Sequence, residues 1–503
     1  LNGILDSALE GLRLVFAWPN LIYPIAGTLL SMVFAFLPGL NGVTLMAIAI
    51  TMTLSWDPVQ IVLIFGAFVG GATFMGSITS ILFNVPGSAP NAATLIDGHP
   101  MAEAGNARTA IACAAASSAL GSTFGVLVLL ALLPFMRPLI LSFGPPEFLL
   151  LAIWGLSMVS MLSGGLSAKG IAMTGLGLLL AFIGASPLSA SDRFTLGTDY
   201  LVDGLPIIPV LLGLFAISEA IHLSQSDRST ISGRLRSEDL SGSVCEGCLA
   251  PLRHGWLTLR CSAIGTIVGI VPGIGGTVAS YVAYGHAVQS AQDKERFGKG
   301  DIRGVIAPEA ASDAKDGGSL FPVLAFGIPG SEGTVLLLTA LMVHGIVPGR
   351  ALLDDQLPLV FALVWSLFFS NWLTSILGVA ISGQLARITL IQTRFLVPLI
   401  LALVAVAAMV NRARAEDLIL AAFFGLFGYA LKVYRWPRVP LVIALVLGGM
   451  FETNLHLTLR LFSLGRIDLL DRPVALCLLL LLVATFAAPL VGRRRLLSIA
   501  RVK

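Results

Sequence analysis

Long stretches of this chain carry no charge at all. No Asp, Glu, Lys or Arg occurs between Arg13 and Asp57, between Asp57 and Asp97, or between Arg108 and Arg137. The same holds from Glu147 to Lys169, Lys169 to Asp192, Arg260 to Asp293, Asp355 to Arg387, and Arg472 to Arg493. A helix needs roughly 20 mainly apolar residues to cross about 30 Å of hydrocarbon. Each gap holds one such helix, and the longest hold two. With shorter candidates around 205–221, 333–347, 395–410, 417–431 and 439–451, about 12 to 14 hydrophobic segments are expected. Only 12% of the 503 residues are charged, against about a quarter in a soluble domain. The apolar runs are continuous rather than alternating, which excludes a β-barrel. The fold class is therefore all-α and polytopic, with most of the surface facing a lipid bilayer.

Charge placement orients the chain. Arg493, Arg494, Arg495, Arg501 and Lys503 at the end predict a cytoplasmic C-terminus, and Arg228, Arg234, Arg236 and Arg253 a cytoplasmic loop over 224–255. Asp192, Asp199 and Asp203 place their loop outside. Asp6 and Glu10, with no basic region or small-residue cleavage site, argue against a cleaved signal peptide; the segment near 21–37 reads as a signal-anchor. Cys245 and Cys248 form a lone C-x-x-C without two further suitably spaced ligands, so no metal is expected.

The chain contains an internal echo. Leu37-Pro38-Gly39-Leu40-Asn41-Gly42 resembles Val271-Pro272-Gly273-Ile274-Gly275-Gly276. Later, Gly76-Ser77 precedes Asn84-Val85-Pro86-Gly87-Ser88, and Gly318-Ser319 precedes Gly327-Ile328-Pro329-Gly330-Ser331. Two ordered pairs at an offset of roughly 240 residues indicate duplication of a half-transporter. The expected organisation is a first half over 1–223, a connecting loop over 224–255, and a second half with C-terminal helices over 256–503. Gly76 to Pro86 and Gly318 to Pro329 each cover about ten residues, or about 15 Å of helix, too short to span. Helices stop at Pro-Gly, and free backbone is tolerated in a membrane only inside protein or beside a water-filled cavity. Each half is thus expected to carry a re-entrant hairpin or broken helix, with tips near 84–91 and 327–334.

A helix start after Pro86-Gly87 exposes N–H groups that suit a carboxylate, and the end before it exposes carbonyls that suit a cation. Ser88 and Asn91 after the first break, and Asn84 before it, add neutral ligands. Pro329, Gly330, Ser331 and Thr334 serve the second. Ser77, Thr79 and Ser319 are expected to line the same cavity. The Gly pairs at 70–71 and 317–318, and Gly273 with Gly275-Gly276, read more as packing contacts than as ligands.

Glu309, Asp313, Lys315 and Asp316 fall immediately before an apolar stretch. Ionisable residues near membrane depth are functional candidates. Asp313, with Ser312 beside it, is the candidate cation ligand; the alternative is a solvated loop with Lys315 paired to Asp316 or Glu309. Glu219 and Glu332 are further carboxylates in or beside apolar runs. His99 and His344 follow the two breaks at comparable distances and read as structural. There is no G-x-x-x-x-G-K-[ST], no H-E-x-x-H and no lipase-type G-x-S-x-G. An ATP-driven pump and an enzyme are both unsupported, and nothing calls for nucleic acid. No cofactor is expected beyond a coupling ion, Na⁺ or H⁺. A channel with similar broken helices, conducting without coupling, is the rival reading.

Several motifs in order carry a family resemblance. Gly76-Ser77-Ile78-Thr79-Ser80-Ile81-Leu82 runs through Asn84-Val85-Pro86-Gly87-Ser88 to Asp97-Gly98-His99-Pro100-Met101-Ala102. Ser142-Phe143-Gly144-Pro145-Pro146-Glu147 follows, then Pro272-Gly273-Ile274-Gly275, Ala307-Pro308-Glu309-Ala310-Ala311, and Gly327 to Ser331. Together they resemble the large membrane subunit of the tripartite tricarboxylate transporters, from about residue 10 to residue 350 and more loosely beyond. The resemblance implies a cation-coupled importer of di- or tricarboxylates in a bacterial inner membrane, working by alternating access. It implies a small four-helix membrane subunit and a periplasmic solute-binding protein as partners; a homodimer is a further assembly to test. By the same analogy the Asn84–Ser88 and Gly327–Ser331 tips meet near the solute. The family usually carries paired asparagines where this chain has Ser312-Asp313. An extra carboxylate beside an anion site repels the anion unless Lys315 or a bound cation compensates.

Overall fold

The computed structural model describes residues 2–36, 41–162, 168–186, 191–225, 242–388, 393–412, 414–468 and 471–485. Pro38-Gly39, Arg228, Arg234, Arg236 and the basic residues from Arg493 onward lie outside the described residues.

The chain is helical apart from a two-residue β pair, Gly184–Ala185 against Asp192–Arg193. The first helices are α1 (Asn2–Phe16), α2 (Ile22–Phe36), α3 (Gly42–Met52), α4 (Pro58–Phe83), α5 (Asn91–Glu103), α6 (Ala107–Leu141), α7 (Pro145–Leu162) and α8 (Ala168–Ala181). Next come α9 (Ile207–Leu211) and α10 (Ser218–Gln225), joined by a π-turn over Leu212–Ile217, then α11 (Val244–Arg253), α12 (Gly255–Ile270) and α13 (Gly275–Ser290). The remainder are α14 (Arg303–Phe326), α15 (Glu332–Val343), α16 (Arg350–Asp355), α17 (Leu357–Ile388), α18 (Thr393–Arg412), α19 (Ala415–Val433) and α20 (Val439–Ser463). A last apolar helix covers Pro473–Thr485.

Five helical spans are long and apolar enough to cross a membrane, and eight shorter apolar helices accompany them among the described residues. That agrees with the segment number read from the charge gaps. Leu127, Phe135, Ile171, Ile376, Ile419, Phe423 and Leu480 stand exposed on these helices, as lipid-facing side chains do.

Two compact units form. One comprises Leu1–Phe135 and Ile208–Ala430; the other, Met136–Ile207 and Leu431–Lys503. In the second, Gly177 of α8 lets the chain approach Leu441 O of α20, where a Cβ would stand 2.3 Å away. Arg193 is ion-paired with Glu452 at 2.5 Å. Gly144 N donates to Glu147 Oε2 at 2.8 Å, closing the start of α7.

The first unit is assembled on glycines spaced four apart, which let helix backbones touch where hydrophobic attraction between helices is weak. Gly66 and Gly70 of α4 meet Leu363 and Leu367 carbonyls of α17, at 2.8 and 2.4 Å from an added Cβ. Gly121 and Gly125 of α6 meet Ala310 and Ala314 of α14 in the same way, at 2.2 and 2.3 Å. Gly265 and Gly269 of α12 meet Ala311 and Lys315 of α14, at 2.2 and 2.3 Å. Two such glycine pairs therefore hold α14 along two neighbouring faces, and nearly all of it is buried. The pairs Gly70-Gly71 and Gly317-Gly318 also face packed atoms: Leu367 O, Ser31 Oγ, the Gly125 backbone and Thr266 O.

The structure corrects the length of the broken segments. Gly76-Ser77 and Gly318-Ser319 do not begin short half-helices. They lie inside α4 of 26 residues and α14 of 24 residues. At 1.5 Å per residue these are about 39 and 36 Å long, each enough to span. Glycine inside a helix wedged between neighbours costs less than breaking the backbone hydrogen bonds in lipid, so the helix runs through it. The solvated-loop alternative for 307–316 is also excluded, because this segment is the buried middle of α14.

Candidate functional site

Both long helices stop where the Pro-Gly-Ser motifs predict, and in the same way. α4 ends at Asn84 in the left-handed region (φ 55°, ψ 29°), and α14 at Gly327 (φ 66°, ψ 30°). Each lies two residues before its proline. Pro86 and Pro329 have no N–H to continue a helix, and the residue before a proline is driven out of helical geometry. Asn and Gly are the residues that tolerate left-handed backbone. The chain then restarts as α5 at Asn91 and α15 at Glu332.

At the first tip, Gly87 N donates back to Gly76 O at 3.2 Å. That carbonyl also accepts from Thr79 Oγ1 at 2.8 Å and Ser80 Oγ at 2.9 Å. A Cβ on Gly87 would sit 2.4 Å from Gly76 Cα, so the two glycines hold the tip against α4. Asn91 is buried. Its Nδ2 donates to Thr73 O at 3.0 Å and Ser77 Oγ at 2.7 Å, while Ser88 Oγ donates to its Oδ1. Asn84 and Pro86 stand exposed, so this tip is only partly enclosed.

The second tip is covered, with Ile328, Pro329 and Gly330 buried. Ser331 caps α15, and Thr334 Oγ1 accepts from Gly330 N at 3.0 Å and Ser331 N at 2.8 Å. Three carbonyls near the end of α14 are occupied too: Gly327 N, Ile328 N and Gly349 N donate to Val323, Pro322 and Leu324 O.

The second tip abuts one turn of α14, and the first faces the same turn across Gly276 of α13. A Cβ on Gly276 would meet Lys315 Cε at 2.7 Å and Pro90 Cγ at 3.1 Å, and one on Gly330 would meet Ser319 Cβ at 3.5 Å. Lys315 and Ser319 share a helix face. Lys315 is buried and ion-paired with Asp316. Ser319 Oγ donates to Asp316 O at 3.1 Å.

A second polar layer lies further back along α14. Ser77 Oγ donates to Glu309 Oε1 at 2.5 Å, and Thr94 Oγ1 donates to the same oxygen. Asn371 Nδ2 of α17 donates to Asp313 Oδ1 at 2.8 Å. Glu309 and Asp313 are buried, and each keeps one oxygen without a hydrogen-bond partner. Ser312 is buried with its hydroxyl equally unpartnered. Ser77, Asn91, Thr79, Gly87 and Ser88 are thus gathered at the first tip, and Gly330, Ser331 and Thr334 at the second. Ser312 and Asp313 belong to the layer behind.

Sequence reasoning missed Thr94 and Asn371 and underrated Glu309. The signal for Asn371 was legible: Ser370-Asn371 and Thr374-Ser375 put a polar stripe on an apolar helix. His99 Nδ1 faces Ile81 O at 2.9 Å, and His344 sets its ring nitrogens against Ala340 O and Thr53 O at 2.6 and 2.8 Å. Both tie helix ends to neighbouring backbone. Among the described residues, no group of three or more His, Cys, Asp or Glu is arranged to hold a metal ion.

Residues 21–443 match the model of the tripartite tricarboxylate transporter TctA family. The chain belongs to the TctA family. It is a multi-pass membrane transporter component rather than an enzyme, and the tripartite system implies two partner components. This TctA chain is 29% identical over 462 residues to an Agrobacterium vitis protein described as an uncharacterized 52.8 kDa protein in the TAR-I ttuC' 3' region. The alignment covers 92% of this chain and 91% of that protein. It is also 29% identical over 192 residues to an uncharacterized protein in the TAR-II ttuC' 3' region of the same organism, covering 38% of this chain and 79% of the relative. No solved structure matches it.

Proposed function

We propose that this TctA chain imports di- or tricarboxylates by cation-coupled alternating access, in a bacterial inner membrane with its C-terminus in the cytoplasm. A periplasmic binding protein delivers the solute, and a small four-helix subunit completes the membrane part. The observation that carries the reading is the pair of matched helix breaks at Asn84 and Gly327, the second against the Lys315–Ser319 turn of α14 and the first facing it across Gly276. Their shared geometry also supports descent from a duplicated half-transporter, with halves over 1–223 and 256–503.

The solute carboxylate sits at the tips, contacted by Ser88 and by Ser331 at the start of α15, with Lys315 supplying positive charge. Lys315 is held ready by Asp316, and an incoming carboxylate competes for the same ammonium. That arrangement answers the repulsion expected from the extra acidic residues of 313–316. Asn84 and Pro86, exposed at the first tip, are the part of the site open to an entering solute.

Uptake of labelled di- and tricarboxylates into vesicles containing the partner components, with and without a sodium gradient, tests the reading. Saturable, gradient-dependent uptake that falls at least about tenfold in Lys315→Met supports it, a change equal to about 1.4 kcal/mol. Gradient-independent flux that does not saturate sinks it in favour of a channel.

A further inference from the structure

The sequence places a coupling cation at carbonyls exposed by the helix break before Pro86; a second place, with a charged ligand, lies in the middle of α14. It is Asp313, two residues back from Lys315. Asp313 is completely buried; Asn371 Nδ2 holds its Oδ1, and its Oδ2 has no hydrogen-bond partner. The charged groups facing it are Asp316, Glu309 and Lys315. Lys315 is engaged by Asp316, so the charge of Asp313 is left uncompensated. A buried carboxylate in that position is strongly unfavourable unless a cation or proton joins it.

The atoms around it indicate which. Asn371 Oδ1 and Ser118 Oγ are both buried and both lack a hydrogen-bond partner. Ser118 adjoins the Asp313 carboxylate, although its hydroxyl is not in hydrogen-bond geometry. It lies on the face of α6 whose Gly121 and Gly125 touch Ala310 and Ala314. Thr374 Oγ1, three residues beyond Asn371 on the same face of α17, is likewise buried and unpartnered. Buried polar atoms are nearly always satisfied in folded proteins. Here several orphans collect from three helices, and every one is an oxygen. One carboxylate with neutral oxygen donors is the ligand chemistry of a hard cation, and the single carboxylate among these ligands matches a monovalent one.

We propose that Asp313, Asn371 and Ser118 form a buried sodium site between α6, α14 and α17. The site rests on the transport reading only for its role in coupling; binding itself stands apart from it. A sodium ion there neutralises Asp313 and ties α17 and α6 to the helix that the second tip contacts. Solute-site and ion-site occupancy are thereby linked through the two-residue step from Asp313 to Lys315 on α14.

The test is melting of the purified full-length chain in detergent while NaCl replaces choline chloride at fixed ionic strength and pH, without solute. A sodium-specific rise in melting temperature is expected, absent from Asp313→Asn and Asp313→Ala. The sodium concentration for half the effect should rise at least about tenfold in Asn371→Ala, a loss of about 1.4 kcal/mol. No sodium-specific rise in the unaltered chain, or an undiminished rise in the Asp313 variants, overturns the proposal. So does a stabilisation that follows pH and ignores sodium, which would assign a proton to Asp313. If neither Asp313 variant folds, an unchanged sodium dependence in both Asn371→Ala and Ser118→Ala overturns it. Failure of carboxylate uptake would leave this titration untouched, so the two readings fail separately.

Discussion

Ser77 and Glu309, separated by 232 positions in the chain, share a hydrogen bond of 2.5 Å in the buried centre of the first unit. Ser77 belongs to the Gly-Ser motif of α4 and Glu309 to the Pro-Glu-Ala-Ala motif of α14. Two motifs that resemble those of one family thus owe their pairing to a direct contact. With Thr94 donating to the same carboxylate oxygen, Glu309 joins three helices.

Removing that carboxylate strands both hydroxyls. A buried polar group left without its partner costs about 1–3 kcal/mol, so Glu309→Ala should lower stability by about 2–5 kcal/mol. Glu309→Gln keeps an acceptor oxygen and should lose about 1 kcal/mol or less. Melting of the detergent-purified variants, read beside elution on size exclusion, checks the order.

Asp97 is the strongest single anchor outside the tips. It is buried, and its Oδ1 accepts from Gly298 N, Gly300 N and Asp301 N at 2.8, 3.0 and 2.9 Å, while Tyr284 Oη donates to Oδ2 at 3.0 Å. Hydrogen bonds to charged groups are worth about 1.5–3 kcal/mol each. Asp97→Ala should therefore cost more than about 3 kcal/mol and expose the 291–302 connection to proteolysis, with Asp97→Asn intermediate. Limited proteolysis followed by mass mapping reads this directly.

The glycine contacts make a contrasting pair of expectations. Gly121→Ala and Gly265→Ala each place a methyl 2.2 Å from a carbonyl oxygen of α14. A helix held along two faces has little room to shift, so each change should cost about 1–3 kcal/mol. Gly285→Ala in α13 meets nothing within 4 Å and should gain about 0.5–1 kcal/mol from helix propensity. Thermal melting of the three variants in one detergent decides it. Gly87→Leu, an obvious test of the first tip from sequence, would collide with Gly76 Cα and report packing rather than solute binding. Ser88→Ala is the cleaner probe.

An acid limit follows from the connection before α14. Arg303 Nη2 pairs with Asp293 at 2.8 Å and Asp301 at 2.7 Å. Burial pushes the Asp301 carboxyl up, but its hydrogen bonds with Arg303 and the Arg303 charge outweigh this and hold it below its ordinary value of 3.8. Asp293, beside the same guanidinium, is also held low. A depressed carboxylate contributes stability that is fully present above the unfolded value and is lost as pH falls through the folded one. Stability from this cluster should persist down to about pH 4 and fade below it. In Arg303→Met, burial of Asp301 is opposed only by the backbone N–H of residue 303 and the Arg296 charge, so the loss should begin at higher pH. Melting temperature against pH for the two proteins measures the difference.

Much of this was legible beforehand. The charge gaps carried the helical membrane fold, because a long uncharged run has few folded outcomes other than a spanning or buried helix. The Pro-Gly-Ser motifs carried the helix breaks at Asn84 and Gly327, because a proline without an N–H and a residue tolerant of left-handed backbone act locally. The segment lengths were misjudged for the opposite reason. Whether an internal glycine such as Gly76 or Gly318 interrupts a helix depends on what packs against it, and those neighbours come from α5 and α12. The interior charges of α14 were likewise ambiguous, since a run with Glu309, Asp313, Lys315 and Asp316 reads equally as a wet loop.

The sequence by itself determined where helices must lie and where two of them must stop, since hydrophobic length and backbone chemistry are properties of neighbouring residues. Only the tertiary structure decided that Asp313 meets Asn371, that Glu309 meets Ser77 and Thr94, and that the second tip reaches Ser319 of α14. Those encounters depend on which helix backbones can touch. Contact distance, set by missing side chains at Gly121, Gly125, Gly265 and Gly269, is a property of pairs of helices far apart in the chain.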